Sequence, residues 1–287
     1  MDWLSGLRKA VDYMEQHLLD QISAQDIAEE VSISSFYLQR GFAVMTGLSI
    51  QEYLRCRRLY LAALELSRTD CRIIDLAAKY GYDSPESFTR AFSRFHGASP
   101  SEVRKDVSRI RPFLPLQISI EIKGGNEMDV RIEHEACMKM IGVSCGIDMD
   151  HGYQECPAFW DEFKKKYCTE TPLPAVRDCR IGEFALCIQD PAESTRFRYM
   201  IAGIDRIDEV PEGMEILEVP AHDWAKFRCT GPMPGALQTV NTAIFREWLP
   251  GNPDYEMDGD LNIEHYLEGD LSAADYVSEI WIPVRKR

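Results

Sequence analysis

The chain has 287 residues, enough for about two domains of ~150 residues, and its 45% hydrophobic and 28% charged composition is that of an ordinary globular protein. No apolar run approaches the ~20 residues of a membrane span. The opening Met-Asp-Trp has no basic-then-apolar leader, and nine cysteines without a Cys-x-x-Cys pair read as reduced thiols rather than a disulfide framework or zinc site. A cytoplasmic protein is expected, with no cofactor, metal or membrane partner. The net charge of −15 is unevenly placed: residues 1–111 hold 15 basic against 15 acidic side chains, and residues 112–287 hold 17 against 32. Phosphate would therefore be repelled by the second half alone, and two domains with different jobs are the simplest account.

Taken in chain order, Trp3, Leu4, Leu7, Val11, Met14 and Leu18 predict a helix over about 3–20. Ser23 caps a short helix ending near Val31, and Ser34 is placed to cap the next. In that helix Leu38 and Phe42 fall one turn apart and face the core. Phe36, Gln39 and Arg40 then share the opposite side near the helix start. A recognition helix reaches base edges from those positions. Arg can bond guanine bidentately, Gln adenine, and an aromatic ring can touch a thymine methyl.

Ser49-x-x-Glu52 is a capping box opening a long helix through about Ser67. Twenty helical residues span ~30 Å, close to one turn of duplex. A second copy of the first unit follows. Asp75-Leu76-Ala77 echoes Asp26-Ile27-Ala28, and Phe88-Thr89-Arg90-Ala91-Phe92 echoes Leu38-Gln39-Arg40-Gly41-Phe42. Gly81 turns the chain, Ser84 caps, and Pro85 sits at the first helical position. Phe88, Phe92 and Phe95 form the buried stripe; Glu86, Thr89, Arg90 and Arg94 form the exposed one. Ser99-Pro100-Ser101-Glu102 opens a short closing helix.

These residues, about 5–107, resemble the DNA-binding domain of the AraC/XylS family of transcriptional regulators. The most specific part is Asp75-Leu76-Ala77, Gly81-Tyr82, Ser84, Phe88 to Phe92, Gly97 and Ser99-Pro100. The resemblance implies that helices of both units enter the major groove, with Phe36, Gln39, Arg40, Glu86 and Arg90 at base-contacting positions. The domain stands at the N-terminal side, as in the Rob-like branch. Gly41 departs from the pattern and lowers the stability of the first reading helix by ~1 kcal/mol.

From Asp106 to Leu116, Pro112 and Pro115 mark a short stiff linker. Beyond it the period becomes alternating: a strand over 117–123, a turn at Gly124-Gly125-Asn126, and a strand from Met128 to Glu135. A weaker repeat follows. A strand pair near 130–145, a helix with Phe159, Trp160 and Phe163, and strands near 184–189 and 197–204 are echoed about 85–88 residues later. The echo has strands at 215–219 and 224–230, a helix with Val240, Ile244, Phe245 and Trp248, and strands at 261–267 and 276–284. The fold class expected is an N-terminal all-α part with two helix-turn-helix units, then a C-terminal α+β part. In that part a pseudo-twofold antiparallel sheet carries helices on one face and leaves a cleft on the other. The division expected is 1–107 for the DNA-binding domain, 108–127 for linker and possible first strand, and 128–287 for the rest.

Trp248-Leu249-Pro250, Ile263-Glu264-His265-Tyr266 and the closing Glu279 to Val284 resemble the GyrI-like effector-binding domain. That resemblance implies small, often cationic or aromatic, ligands bound in a pocket containing a carboxylate. In the last strand Ile280, Ile282 and Val284 point to the helices while Glu279 and Trp281 point into the expected cleft. A carboxylate beside tryptophan suits an organic cation. Tyr199, Trp224, Phe227 and Tyr266 are candidate aromatic walls and Glu264 a second acid. The plainer alternative makes these aromatics sheet core and pairs Glu279 with an arginine such as Arg228.

A ligand-responsive, non-enzymatic transcriptional regulator is the leading expectation, with double-stranded DNA and a small effector as partners and RNA polymerase as a further contact left open. Two alternatives compete. In one, Glu264 and Glu279 form a general acid/base pair of a hydrolase acting on reactive genotoxic compounds; in the other, the C-terminal domain is a protein-binding inhibitory module.

Overall fold

The computed structural model describes residues 3–118, 128–149, 151–168, 172–190 and 195–287. Most of the strand expected over 117–123 and the turn at 124–126 lie outside these residues. Seven N-terminal helices follow in order: α1 (Trp3–Gln16), α2 (Ala24–Val31), α3 (Ser35–Thr46), α4 (Ile50–Arg68), α5 (Ile73–Lys79), α6 (Pro85–His96) and α7 (Pro100–Lys105). Two compact units result, and they interleave along the chain. One contains Leu4–Ile33 and Leu48–Glu121; the other contains Met1–Trp3, Ser34–Gly47 and Ile122–Arg287. Helix α3, the first reading helix, thus belongs with the C-terminal half, across the contiguous division that the motifs suggest.

In the helical unit, local sequence decides where helices start. Ser23 and Asp26 exchange side-chain and backbone bonds at the head of α2, and Ser99 and Glu102 do the same for α7. Ser49 accepts from the Glu52 amide at the head of α4, and Ser84 from Ser87 at the head of α6. Gly81 (φ +79°) makes the left-handed turn between α5 and α6. Leu59, Leu66, Leu76, Phe88, Phe92 and Val103 pack as one core; of the phenylalanine stripe of α6, Phe88 and Phe92 are buried and Phe95 is half-buried against it. Arg57 of α4, 5% exposed at its side chain, is fixed by Glu15 of α1 at 2.7 Å.

The C-terminal half repeats one pattern. The first copy is β1 (Val130–Glu135), β2 (Met138–Asp148), α8 (Gly152–Tyr167), α9 (Pro174–Asp178), β3 (Phe184–Gln189) and β4 (Arg196–Ile204). The second is β5 (Glu215–Val219), β6 (His222–Thr230), α10 (Gly235–Ala243), a π-helical stretch Ile244–Trp248, α11 (Leu249–Gly251), β7 (Tyr255–Met257), β8 (Leu261–Tyr266) and β9 (Val277–Lys286). The strands form one antiparallel sheet, β1-β6-β9-β8-β3-β4-β2-β5, with β7 on β9. Strands β3 and β8 meet at the centre. The repeats exchange their outermost strands, since β1 pairs with β6 and β5 with β2.

This exchange curls the sheet. Strands β1 and β2 stand six places apart in the order, ~29 Å in a flat sheet at ~4.8 Å per strand. Only two residues, 136 and 137, join them, which reach ~10 Å. The link between β5 and β6 is equally short. The two ends of the sheet therefore approach each other, and one face becomes an interior. Met140, Phe184, Leu186, Met200, Ala202, Val219, Trp224, Ile263 and Trp281 fill it. The open cleft expected on that face is a packed core instead.

Candidate functional site

Helix α6 carries the second reading surface. Phe88 and Phe92 anchor it at 0% exposure, one turn apart, so the opposite side faces outward. Glu86, Arg90 and Arg94 are exposed on it and have no hydrogen-bond or ion-pair partner among the described residues. Thr89 is half-buried and turns its hydroxyl back to the Pro85 carbonyl at 2.7 Å, which satisfies it within its own helix.

Helix α3 differs. Its spacing predicts Phe36, Gln39 and Arg40 on an outward side, but Phe36 is 1% and Gln39 9% exposed. Gln39 donates to Ser35 of its own helix. Arg40 is half-buried; its guanidinium donates to Asn262 Oδ1 on β8 at 2.9 Å and reaches Asn241 Oδ1 on α10 at 3.4 Å. Beside it the Tyr37 hydroxyl donates to the Leu261 carbonyl at 2.8 Å. Ser34 makes no cap; its hydroxyl donates to Asp260 at 2.7 Å. The physical reason lies in this side of the helix being aromatic. Burying Phe36 contributes about 1.5–3 kcal/mol, and the Tyr37 ring stands edge-on to it at 5.2 Å while its hydroxyl is satisfied by β8.

Gly41 follows from the same packing. A Cβ there would stand 2.3 Å from the Trp3 indole and 2.9 Å from the Phe245 ring. The residue that weakens the helix by propensity thus lets Trp3 and Phe245 close on it, with their rings 5.7 Å apart.

The predicted ligand residues do not converge. Directly paired residues in antiparallel strands share a face. Glu264 pairs with Ile280 and Ala185, and Tyr199 with Cys187, itself paired with Asn262. Glu264, Tyr266, Tyr199 and Phe227 therefore lie on the helix-bearing face, while Glu279, Trp281 and Trp224 lie on the inner one. On the helix-bearing face the Glu264 carboxylate, in a residue 8% exposed, accepts from the Tyr266 hydroxyl at 2.7 Å and the Tyr199 hydroxyl at 3.0 Å. Trp160 of α8 donates to the Tyr199 oxygen at 2.9 Å and stands edge-on to the Tyr266 ring at 5.3 Å. No lysine or arginine among the described residues forms an ion pair with Glu264. Burial, and then the Glu264 charge, drive both tyrosine hydroxyls well above their ordinary pKa, so they stay protonated donors. Phe227 is sheet core against Trp248, at 4.9 Å between centroids.

Glu279 and Trp281 are a structural pair. Burial alone would push the Glu279 carboxyl up, but His265 at 3.6 Å, the hydrogen bond from Trp281 and the Arg131 guanidinium outweigh it and hold it at about 2. Arg131 closes on it at 2.8 Å, where Arg228 was the expected partner; Arg228 faces Asp129. The face of Trp281 is taken by the protein's own Lys226, with Nζ 3.8 Å from the ring centroid and ion-paired to Glu133 and Glu135. Trp224 is 1% exposed in the same core. These three residues leave the candidate ligand surface. Glu264 and Glu279 project from opposite faces of the sheet, so they cannot bracket a substrate as the acid/base pair of a hydrolase.

Sequence reasoning missed Tyr37, Asn241, Asn262 and Arg131. Asn262 was within reach, because alternation places it on the face of Glu264 two residues away. Asn241 and Arg131 carried no local signal.

Among the described residues no three His, Cys, Asp or Glu cluster with metal-binding geometry, all nine cysteines are free, and no helix is long and apolar enough to cross a membrane. A helix-turn-helix unit with a bare basic reading side, coupled in one chain to a pseudo-twofold effector-type sheet, defines a class of two-part DNA-binding proteins. Residues 27–106 match the family described as "Helix-turn-helix domain", and residues 131–284 match "Integron-associated effector binding protein". The chain belongs to the AraC/XylS family and carries a GyrI-like domain.

Among its relatives, an uncharacterized HTH-type transcriptional regulator of Bacillus subtilis, YbfP, is 38% identical over 109 residues, 38% of this chain and 37% of that one. The regulatory protein SoxS of Salmonella typhimurium is 35% identical over 98 residues, 34% of this chain and 92% of that one. The right origin-binding protein of Escherichia coli is 31% identical over 183 residues, 60% of this chain and 61% of that one. The chain thus spans 37% and 61% of the length of YbfP and the right origin-binding protein.

Proposed function

We propose that the protein is a sequence-specific DNA-binding transcriptional regulator whose C-terminal half senses small aromatic cations through Glu264. The observation that carries the sensing half is a buried carboxylate held by two tyrosine hydroxyls under a tryptophan, with no ion-pair cation of its own among the described residues. Such a group attracts an organic cation by charge while the rings supply apolar and cation–π contact. The DNA half is supported by the outward Glu86, Arg90 and Arg94 of α6 and by the regulatory relatives. Base contacts from Phe36, Gln39 and Arg40 require α3 to leave its place on the C-terminal half.

Selection of bound duplexes from a random pool tests the DNA reading, and enrichment of no sequence over random competitor at moderate salt rejects it. Calorimetric titration with benzylguanidine and its neutral analogue benzylurea, within a wider panel of aromatic cations, tests the sensing reading. Cation binding that weakens in Glu264→Gln supports it.

A further inference from the structure

Helix α3 is docked where a ligand of the sensing site would lie, and it brings a cation with it. Arg40 ends between two asparagines that are themselves buried, Asn241 at 3% and Asn262 at 2% exposure. Asn262 and Glu264 project from the same face of β8, two residues or ~7 Å apart. The Arg40 charge is felt in the same place: burial lifts the Cys187 thiol to about 11 even with the Arg40 cation drawing it down and the Glu264 charge lifting it further. An aromatic ring accompanies the guanidinium, since Arg40 stands 5.9 Å from the Phe36 centroid. Tyr37 adds its hydroxyl to the β8 backbone, and Arg246 reaches back to the carbonyls of Val44 and Met45 at 3.4 and 3.3 Å. A planar cation beside aromatic rings, seated by neutral amide oxygens next to a buried carboxylate, is the chemistry proposed above for the effector, here supplied by the chain itself.

We infer that α3 is an internal competitor of the effector, with Arg40 as its cationic group, so that an arylguanidinium or similar planar aromatic cation binds by displacing the first reading helix. The inference rests on the sensing reading and adds its regulation. While α3 is docked, Phe36, Gln39 and Arg40 are covered and only α6 is free to read a groove. Ligand and docked helix exclude each other, so the ligand favours the state in which both reading helices are available. The coupling needs no second pocket, because the group displaced is the group that reads DNA.

The test uses the full chain. Amide hydrogen exchange across residues 35–46 and affinity for a selected duplex are measured with benzylguanidine, with benzylurea and with neither. Benzylguanidine is expected to speed exchange in α3 and tighten specific DNA binding, each at least tenfold, and benzylurea to do neither. Asn241→Ala/Asn262→Ala should show fast exchange and tight DNA binding without ligand. Asp260→Ala, at an exposed position whose side chain bonds Ser34 alone among the described residues, should move both readouts the same way by a smaller factor. Benzylguanidine bound with α3 still protected overturns the inference and leaves the sensing reading intact. Wild-type exchange and DNA affinity in both asparagine and aspartate variants also overturn it. Absence of binding by every cation in the panel overturns the sensing reading, and ligand displacement with it.

Discussion

Protonating Glu279 should loosen the C-terminal half in a defined window of acid pH. Its carboxyl ordinarily titrates near 4.5 and is held at about 2 by His265, Trp281 and Arg131, against the opposing effect of burial. A group depressed this far contributes about 3 kcal/mol at neutral pH. Because Arg131 is 44% exposed, solvent screening reduces its share, and about 2 kcal/mol is the figure to expect. The direction follows from the depressed value: the contribution is complete above about pH 4.5 and disappears as the pH falls toward 2. Five tryptophans make the assay specific, since positions 3, 160, 224, 248 and 281 all fall in the unit containing the sheet. Urea unfolding followed by tryptophan fluorescence at pH 7, 4.5 and 3 should show wild type losing stability relative to Glu279→Gln as pH falls. At pH 7 the variant should be about 2 kcal/mol less stable and bind benzylguanidine as wild type does. Parallel stabilities of the two proteins across that range refute the structural assignment, and a selective loss of cation binding would return Glu279 to the ligand site.

Other expectations are as specific. Arg90→Ala should cost about 1–3 kcal/mol of specific DNA affinity without changing thermal stability, read by fluorescence anisotropy and melting; unchanged discrimination between target and random duplex removes it from the reading surface. Glu264→Gln should weaken benzylguanidine at least tenfold and leave benzylurea unaffected, read by calorimetry; equal effects on both make the carboxylate structural. Gly41→Ala gains ~1 kcal/mol of helix propensity but drives a methyl into the Trp3 indole and Phe245 ring, which overpacking costs at about 1–3 kcal/mol. The net should be a lower midpoint in the tryptophan-monitored transition, and a raised midpoint contradicts the packing account.

Local chemistry was the legible part. The capping boxes at Ser23 and Ser99, the proline opening α6 and the phenylalanine spacing within it are short-range features, and the helices begin where they say. Strand alternation likewise separated Glu279 and Trp281 from Ile280 and Ile282. What alternation lacks is any sign of which face becomes an interior. That is decided by the pairing of β1 with β6 and β5 with β2, between residues some ninety and seventy-five positions apart in order of magnitude. Ser34 and Arg40 mislead for a related reason. A hydroxyl before a helix reads as a cap, and an arginine opposite a leucine–phenylalanine stripe reads as solvated, until β8 and the segment before it arrive over two hundred residues later with Asp260 and Asn262.

The exchanged outer strands bear on how the C-terminal half can be handled as a fragment. Cutting the chain between β4 and β5 and separating the pieces would strip β5 from β2, β1 from β6 and β3 from β8 in one stroke, baring strand edges of unsatisfied amide and carbonyl groups on both pieces. Edges of that kind recruit strands from neighbouring molecules. Neither repeat is therefore a spare copy of the other. The duplication has become mutual dependence, and half of it should precipitate where the whole stays monodisperse.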